Sequence, residues 1–198
     1  MNWETDHLSL YMIDYCPTAT YVDLNIDAWY ADSTDFVIEN GLMIGVAEYR
    51  FDPHGNTSRA MIATILYRLE GEPDVKDAES FPDVKQGVWY TDAIAWAADN
   101  GIVRGYDTGD YKPDRDISRQ ELAVILYRYA AFKGMDTSAR ADLSAFGDTD
   151  SVSAWAKDAV QWAVAVGILE GDDEKNIKAK DYAERCEVAA MIRRFTQE

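Results

Sequence analysis

Cysteine and histidine are nearly absent from this sequence. Its 198 residues contain only Cys16, Cys186, His7 and His54 of these two types. Two cysteines cannot build a disulfide framework, and the four residues together are too few for a typical zinc site. The composition therefore predicts a protein with no structural disulfides, no metal and no cofactor.

Long hydrophobic runs are also missing. No stretch approaches the roughly 18 uncharged apolar residues that a membrane-spanning helix requires. Hydrophobic residues nevertheless make up 47% of the chain and aromatic residues 12%, which is enough apolar material for a packed core. We expect a folded protein that does not insert into a membrane.

Basic residues are scarce. Nineteen lysines and arginines stand against 36 aspartates and glutamates, which gives a net charge of -17. Such a surface repels phosphate backbones and anionic lipids, so we predict no binding to nucleic acid. Any anionic ligand has to be captured locally, by individual arginines.

The dominant feature that is present is an internal repeat. Trp29, Trp89 and Trp155 recur at intervals of 60 and 66 residues, read from the numbering. Each tryptophan is followed at the same offsets by two glycines and an arginine: Gly41, Gly101 and Gly167, then Gly45, Gly105 and Gly171, then Arg59, Arg119 and Arg185. The pattern predicts repeats at 21–72, 81–133 and 146–198, with residues 1–20 as an N-terminal extension outside it.

Each repeat is predicted to be a helix, a loop and a second helix. In the second repeat, Asn100 and Gly101 end the first helix, and Ser118 with Glu121 forms a capping box for the second. A helix pair of this size cannot bury its apolar stripe alone. We therefore predict an all-α fold with approximate threefold symmetry, in which the second helices form a central three-helix bundle and the first helices pack outside it.

An arginine follows the N-cap of each second helix. A cation at that position opposes the helix macrodipole at a cost of about 0.3–1 kcal/mol. A bound carboxylate or phosphate, held by the guanidinium and by free helix N–H groups, would offset this cost. The alternative is an ion pair with an aspartate of the protein itself, and taken alone the residues favour it. The candidate aspartates are Asp23, Asp83 and Asp148.

The motifs of the second repeat resemble an S-layer homology repeat. They are Phe81-Pro82-Asp83-Val84, Trp89-Tyr90, Gly101-Ile102-Val103-Arg104-Gly105, Tyr111-Lys112-Pro113 and Ile117-Ser118-Arg119-Gln120-Glu121. The resemblance extends over residues 21–198. It implies an extracellular module on the bacterial surface that binds secondary cell-wall polysaccharide, commonly pyruvylated, or a peptidoglycan-linked glycan, in grooves between adjacent repeats. It also implies a monomer as an isolated domain.

The resemblance assigns roles to three sets of residues. Arg59, Arg119 and Arg185 would bind the acidic sugar, and Gly45, Gly105 and Gly171 would let the polymer approach the backbone. Trp29, Trp89 and Trp155 could stack on sugar rings, although their apparent helical spacing favours burial in the core.

The repeats depart from the family motif at three places, one of which is Ala179 in the third repeat, where the other repeats carry Pro53 and Pro113. Met61 replaces the motif glutamate in the first repeat, and Glu184 stands at the N-cap position in the third. Glu184 could compete with a ligand for the neighbouring guanidinium. We therefore expect Arg119 to be the strongest site and Arg185 the weakest.

No sequence motif indicates catalysis. There is no nucleophile triad, phosphate-binding loop or metal cluster, so we predict a non-enzyme. The alternative to glycan binding is a structural or protein-interaction module of a surface protein, with its arginines committed to internal ion pairs. Residues Met1 to Tyr15 lack the pattern of a secretory signal, so we expect a fragment of a longer exported protein.

Overall fold

The computed structural model describes residues 20–75 and 81–197. In these ranges the chain forms six α-helices and no β-strand, which confirms the predicted all-α class. The helices are α1 (Ala31–Glu39), α2 (Arg59–Leu69), α3 (Thr91–Asp99), α4 (Arg119–Phe132), α5 (Lys157–Ala165) and α6 (Arg185–Phe195). Short 3-10 turns at Leu143–Ala145, Thr149–Ser151 and Ala154–Ala156 precede α5. No helix in the described ranges is long and apolar enough to cross a membrane.

Local sequence explains where the helices begin and end. The predicted capping box of α4 is confirmed, with the Ser118 hydroxyl accepting from the Glu121 N–H and the Glu121 carboxylate accepting from the Ser118 N–H. Helix α3 ends at Asp99, and Gly101 adopts the predicted left-handed conformation at φ +69°.

Helix packing joins successive repeats. Helix α3 packs on α2, α5 packs on α4, and α1 packs on α6. Each first helix therefore rests on the second helix of the preceding predicted repeat, and the third repeat is followed by the first. The predicted threefold symmetry and the bundle of second helices stay predictions.

A closed ring of backbone hydrogen bonds links the same three parts of the chain. The Ile117 N–H donates to the Thr57 carbonyl, the Ala183 N–H to the Ile117 carbonyl, and the Thr57 N–H to the Ala183 carbonyl, at 2.9–3.0 Å. All three residues are fully buried. The residues just before α2, α4 and α6 are thus held against one another in the buried interior.

One hydrophobic cluster runs through the described residues. It includes Val37, Leu66, Ile94, Leu126 and Ile192, which are almost completely buried and come from five of the helices. The predicted N-terminal extension at 1–20 lies, except for residue 20, outside the described residues. The boundaries of the three repeats remain predictions.

Candidate functional site

Three grooves hold all nine of the residues proposed from the sequence. The Arg59 groove contains Gly105 and Trp155, the Arg119 groove contains Gly171 and Trp29, and the Arg185 groove contains Gly45 and Trp89. Their volumes are about 350, 440 and 450 Å³, sufficient for a small ligand. Each groove combines an arginine from one predicted repeat, a glycine from the next and a tryptophan from the remaining one.

The three tryptophans are exposed, so the expectation of core burial was wrong. Trp29, Trp89 and Trp155 expose 65%, 59% and 61% of their surface. Trp29 and Trp89 lie two residues before the first residue of α1 and of α3. They are therefore not part of the apolar face of these helices, although their spacing matches it. The adjacent Tyr30 and Tyr90 are buried instead, with their rings edge-on to the tryptophans.

The three groove arginines are buried and shape the loops of the next repeat. In each, Nε and Nη2 donate to two backbone carbonyls at 2.7–2.9 Å. The acceptors are Tyr111 and Arg104 for Arg59, Ile177 and Glu170 for Arg119, and Phe51 and Ile44 for Arg185. These side chains therefore have a structural role whether or not a ligand binds.

The remaining nitrogen, Nη1, distinguishes the grooves. In Arg119 it lies 2.5 Å from the Glu187 carboxylate. In Arg185 it lies 3.9 Å from the Met61 thioether, a weak acceptor. In Arg59 it has no hydrogen-bond partner within the described part of the chain, and the guanidinium lies between the rings of Tyr106 and Tyr111. Of Arg59, Arg119 and Arg185, only Arg119 forms an ion pair among the described residues.

The aspartates suggested as internal partners serve the backbone instead. Asp23 accepts from the N–H groups of Phe51 and Asp52, Asp83 from those of Tyr111 and Lys112, and Asp148 from those of Ile177 and Lys178. No ion pair joins these aspartates to the groove arginines in the described ranges. The predicted arginine–aspartate pairing is therefore wrong.

The helix N-termini offer no free donors to an anion, contrary to expectation. The N–H groups of Arg59 and Ala60 donate to the carbonyls of Arg115 and Pro113 in the next repeat. The same pair of bonds recurs at α4, with Asp181 and Ala179, and at α6, with Gly55 and Pro53. Packing between repeats satisfies these donors, so an anion has to be bound by side chains.

The groove glycines are required by aromatic packing within the protein. A Cβ at Gly45 would lie 2.4 Å from the Tyr21 ring, and one at Gly105 would lie 2.8 Å from the Phe81 ring. At Gly171 the distance to the Phe146 ring would be 2.7 Å. These contacts explain the repeated glycine without any approach of a polymer, although all three glycines line grooves.

Groove charge depends on a position that sequence reasoning did not single out. It is occupied by Ile44, Arg104 and Glu170 in the three repeats. Glu170 forms an ion pair with Arg194, whereas Arg104 lies in the Arg59 groove with Arg128. A comparison of the three repeats at this position would have revealed from the sequence that the grooves differ in charge.

The side chains of Arg104 and Arg128 form no hydrogen bond or ion pair among the described residues. Burial, together with the positive charges of Arg104 and Arg59, lowers the pKa of Arg128. Two carboxylates line the same groove: Glu121, which is already bound to Arg115 at 2.7 Å and to Ser118, and Asp107, which forms no ion pair with these arginines in the described ranges. Within the described residues, the Arg59 groove therefore holds three arginines that form no ion pair with a carboxylate.

The other two grooves differ in character. The Arg119 groove is lined by Glu170, Asp172, Asp173 and Glu187 as well as its cations. The Arg185 groove has no acidic lining residue and is largely apolar, with Met43, Ile44, Val46, Met61 and Ile65. Glu184, suspected of competing for Arg185, contacts His54 instead, at 2.7 Å.

The described fold defines an all-helical module whose helix pairs meet at grooves lined by arginine and tryptophan. Residues 80–123 and 145–189 match the family model of the S-layer homology domain. These segments fall in the second and third predicted repeats, and the first repeat stays a prediction. The chain thus carries S-layer homology sequence in two segments.

Curated relatives agree with this family. The chain is 34% identical over 79% of its length to the surface-layer 125 kDa protein of Lysinibacillus sphaericus. It is 29% identical over 87% to an amylopullulanase of Thermoanaerobacterium thermosulfurigenes, and 26% identical over 73% to a cellulosome-anchoring protein of Acetivibrio thermocellus. The matches cover 13%, 9% and 33% of those proteins, so the chain spans only a small part of each. The domain and the surface-layer relatives identify an extracellular protein associated with the cell surface.

Proposed function

We propose that this protein is a non-enzymatic, non-covalent cell-wall anchor that binds an acidic secondary cell-wall polysaccharide in grooves between three tandem repeats. The repeats would comprise 21–72, 81–133 and 146–198 around an approximate threefold axis and a central bundle of second helices. The matched S-layer homology segments and the surface-layer and cellulosome-anchoring relatives support an anchoring role. A carboxylate on the polymer, such as a pyruvyl ketal, is the chemical group that the grooves would recognise.

The observation that carries this proposal is the cluster of three arginines in the Arg59 groove, which form no ion pair among the described residues. Arg59, Arg104 and Arg128 line one concave surface in a molecule with a net charge of -17. Mutual repulsion of three cations is unfavourable, and a bound anion would relieve it. Arginine also matches the planar geometry of a carboxylate through two parallel hydrogen bonds.

Trp155 supplies the second component of a sugar site. Trp155 is 61% exposed and lines the same groove. An exposed aromatic ring next to fixed cations offers an apolar face for a sugar ring while the arginines hold its acidic substituent. Trp89 and Trp29 would act in the same way in the other two grooves.

The grooves should differ in affinity, in a different order from the one expected from the motifs. The Arg59 groove comes first, because its Nη1 and two further arginines are available. The Arg185 groove comes second, because Met61 leaves Arg185 without a competing carboxylate. The Arg119 groove comes last, because the Glu187 carboxylate is already paired with Arg119 Nη1. Glu170 adds a second negative charge to the lining of this groove.

Cosedimentation with purified cell wall tests the proposal. Arg104→Gln combined with Arg128→Gln removes two cations whose side chains form no hydrogen bond or ion pair in the described ranges, so the fold should be retained. We expect this double variant to bind polysaccharide-bearing wall at least tenfold more weakly, and Trp155→Ala to weaken binding as well. Wild-type binding should fall as salt is raised, because the contact is electrostatic.

Arg193→Gln provides a charge-matched control. Arg193 pairs with Asp32 on the surface and does not line any of the three grooves. Binding by this variant should equal that of the wild type. Equal sedimentation of the double variant and the wild type, or sedimentation on wall stripped of its polysaccharide, would contradict the proposal.

The geometry of Arg119 favours a second candidate function for its own groove. All three guanidinium nitrogens have acceptors in the protein, two of them backbone carbonyls and one the Glu187 carboxylate. A structural or protein-interaction module would need arginines of this kind in every groove. In that case none of the groove variants would change wall binding, and Arg119→Ala would lower only stability.

A further inference from the structure

Three side chains with metal-binding atoms converge where α6 meets the loop at 52–55. His54 Nδ1 lies 2.7 Å from Glu184 Oε2, and Cys186 Sγ lies 3.6 Å from the same oxygen. The ligand atoms of the three residues all fall within 4.8 Å of one another. A count of cysteines and histidines predicts no zinc site, but folding brings one of each together with a carboxylate.

We infer that His54, Glu184 and Cys186 form a zinc-binding site, with water completing a four-coordinate geometry. Zinc accepts nitrogen, oxygen and sulfur ligands together, at about 2.0–2.3 Å, which places ligand atoms about 3.3–3.6 Å apart. The observed separations require shifts of about an ångström. The His54 side chain is 66% exposed and can move by that amount.

The electrical balance of the site suits a divalent cation. A thiolate and a carboxylate neutralise the two positive charges of zinc, while the histidine binds as neutral imidazole. A neutral complex avoids the unfavourable interaction that a bare cation would have with the N-terminus of α6. The ring of Tyr30 packs edge-on against His54 at 5.7 Å and helps to orient the imidazole.

Coordination would require the Cys186 thiol to lose its proton to solvent. Burial, with the negative charges of Glu184 and Glu187, raises the pKa of Cys186 to about 12. The thiol is therefore uncharged in the absence of a cation. Zinc binding supplies the missing positive charge and releases one proton from the thiol.

The other two junctions between repeats provide an internal comparison. The same pair of backbone bonds joins the repeats there, but the three ligand positions are filled differently. They hold Asp114, Ser58 and Ala60 at one junction and Lys180, Ser118 and Gln120 at the other. Neither combination can supply nitrogen, oxygen and sulfur ligands, so the proposed site belongs to the junction that links the last repeat to the first.

Zinc at this position would act as a clamp between distant parts of the chain. His54 and Glu184 are 130 residues apart, and α1 packs on α6 beside them. Binding to the folded state alone raises stability by mass action. At a zinc concentration a hundredfold above Kd, the melting temperature should rise by about 5–10 °C.

Calorimetric titration of the reduced, chelator-treated full chain with zinc chloride tests the site. The repeats themselves suggest conservative variants: Cys186→Ala copies Ala60, Glu184→Ser copies Ser58 and Ser118, and His54→Asn removes the imidazole. We expect one zinc per chain, at least tenfold weaker binding in each variant, and loss of the zinc-dependent rise in melting temperature. With cobalt(II), the wild type should show a thiolate-to-metal charge-transfer band that Cys186→Ala abolishes.

His7→Asn and Cys16→Ala are the matched controls, because they remove the other histidine and cysteine of the sequence. Both should bind zinc as the wild type does. The site would be refuted by absence of zinc binding, by unchanged affinity in Cys186→Ala and His54→Asn, or by loss of binding in the two controls.

Discussion

At the residue scale, Thr57 is an exception to the rule that buried polar groups are paired. Its hydroxyl has no hydrogen-bond partner within the described ranges, and the residue is fully buried. The equivalent positions hold Ile117 and Ala183, which contribute no polar side-chain atom to the buried ring of backbone hydrogen bonds. A buried, unpaired hydroxyl costs about 1–3 kcal/mol of stability.

Thr57→Val should therefore stabilise the protein. The substitution keeps the branched shape and removes the unsatisfied oxygen, and we expect the free energy of unfolding to rise by about 1 kcal/mol. Thermal denaturation would show an increase in melting temperature of about 2–4 °C. Thr57→Ser, which keeps the hydroxyl and loses a methyl group, should be less stable than the wild type. A lower melting temperature for Thr57→Val would show that the hydroxyl is satisfied after all.

At the scale of single elements, the start of each second helix combines a cap with a contact to the next repeat. In α4 the carboxylate of Glu121 is partly buried, which opposes its ionisation. Hydrogen bonds from the Ser118 N–H and from Arg115 outweigh that effect and lower the pKa of Glu121. In α2 the equivalent residue is Met61, so α2 has only the Ser58 side of the cap, at 3.3 Å.

Glu121→Gln should lower stability by about 1 kcal/mol at pH 7, through loss of the charged cap and of the Arg115 pair. Because the folded-state pKa is lowered, the contribution of ionised Glu121 is present above its ordinary value of 4.5 and disappears as pH falls through the folded-state value. Denaturant unfolding at pH 7 and pH 3 measures the difference. The gap between variant and wild type should narrow at pH 3.

Glu39→Gln, at an exposed position at the end of α1, is the control for that experiment. It removes a carboxylate of the same type and should change stability little at either pH. A gap between Glu121→Gln and the wild type that stays constant from pH 7 to pH 3 would contradict the role of the ionised cap.

At the scale of the whole molecule, the repeats depend on one another in a cycle. The contact of α1 with α6 and the backbone ring through Thr57, Ile117 and Ala183 connect the third predicted repeat back to the first. The hydrophobic cluster is shared by all of them. The protein should therefore unfold as a unit, unlike an open array in which an end can fray.

Ile192→Ala tests this cooperativity. Ile192 is fully buried in α6, and the truncation should cost about 2–5 kcal/mol. We expect a single unfolding transition shifted to lower denaturant, and faster amide exchange in α1 and α3 as well as in α6. Glu174→Ala, in an exposed loop of the same repeat, should leave both measurements unchanged. Loss of protection limited to residues 146–197 would indicate that the repeats unfold independently.

Much of the helical structure follows from local signals in the sequence, whereas the environment of the site residues does not. Caps and glycine stops depend on a few neighbouring residues, so α2, α3 and α4 could be located from spacing. Burial of Trp89 was wrongly expected from its spacing. Trp89 lies in the turn that precedes α3 and is therefore not part of the helix. The partners of Arg59 and Arg119 lie 45 to 68 residues away, and local sequence gives no information on those distances.

The sequence by itself determined the helix class, the repeat spacing and the recurrence of the arginines, glycines and tryptophans, because these depend on short-range patterns. Only the tertiary structure decided which repeat supplies each groove wall, which guanidinium retains a free nitrogen, and that His54 meets Cys186. Such properties arise from contacts between residues far apart in the chain, where a single difference such as Arg104 in place of Glu170 changes the charge of a whole groove.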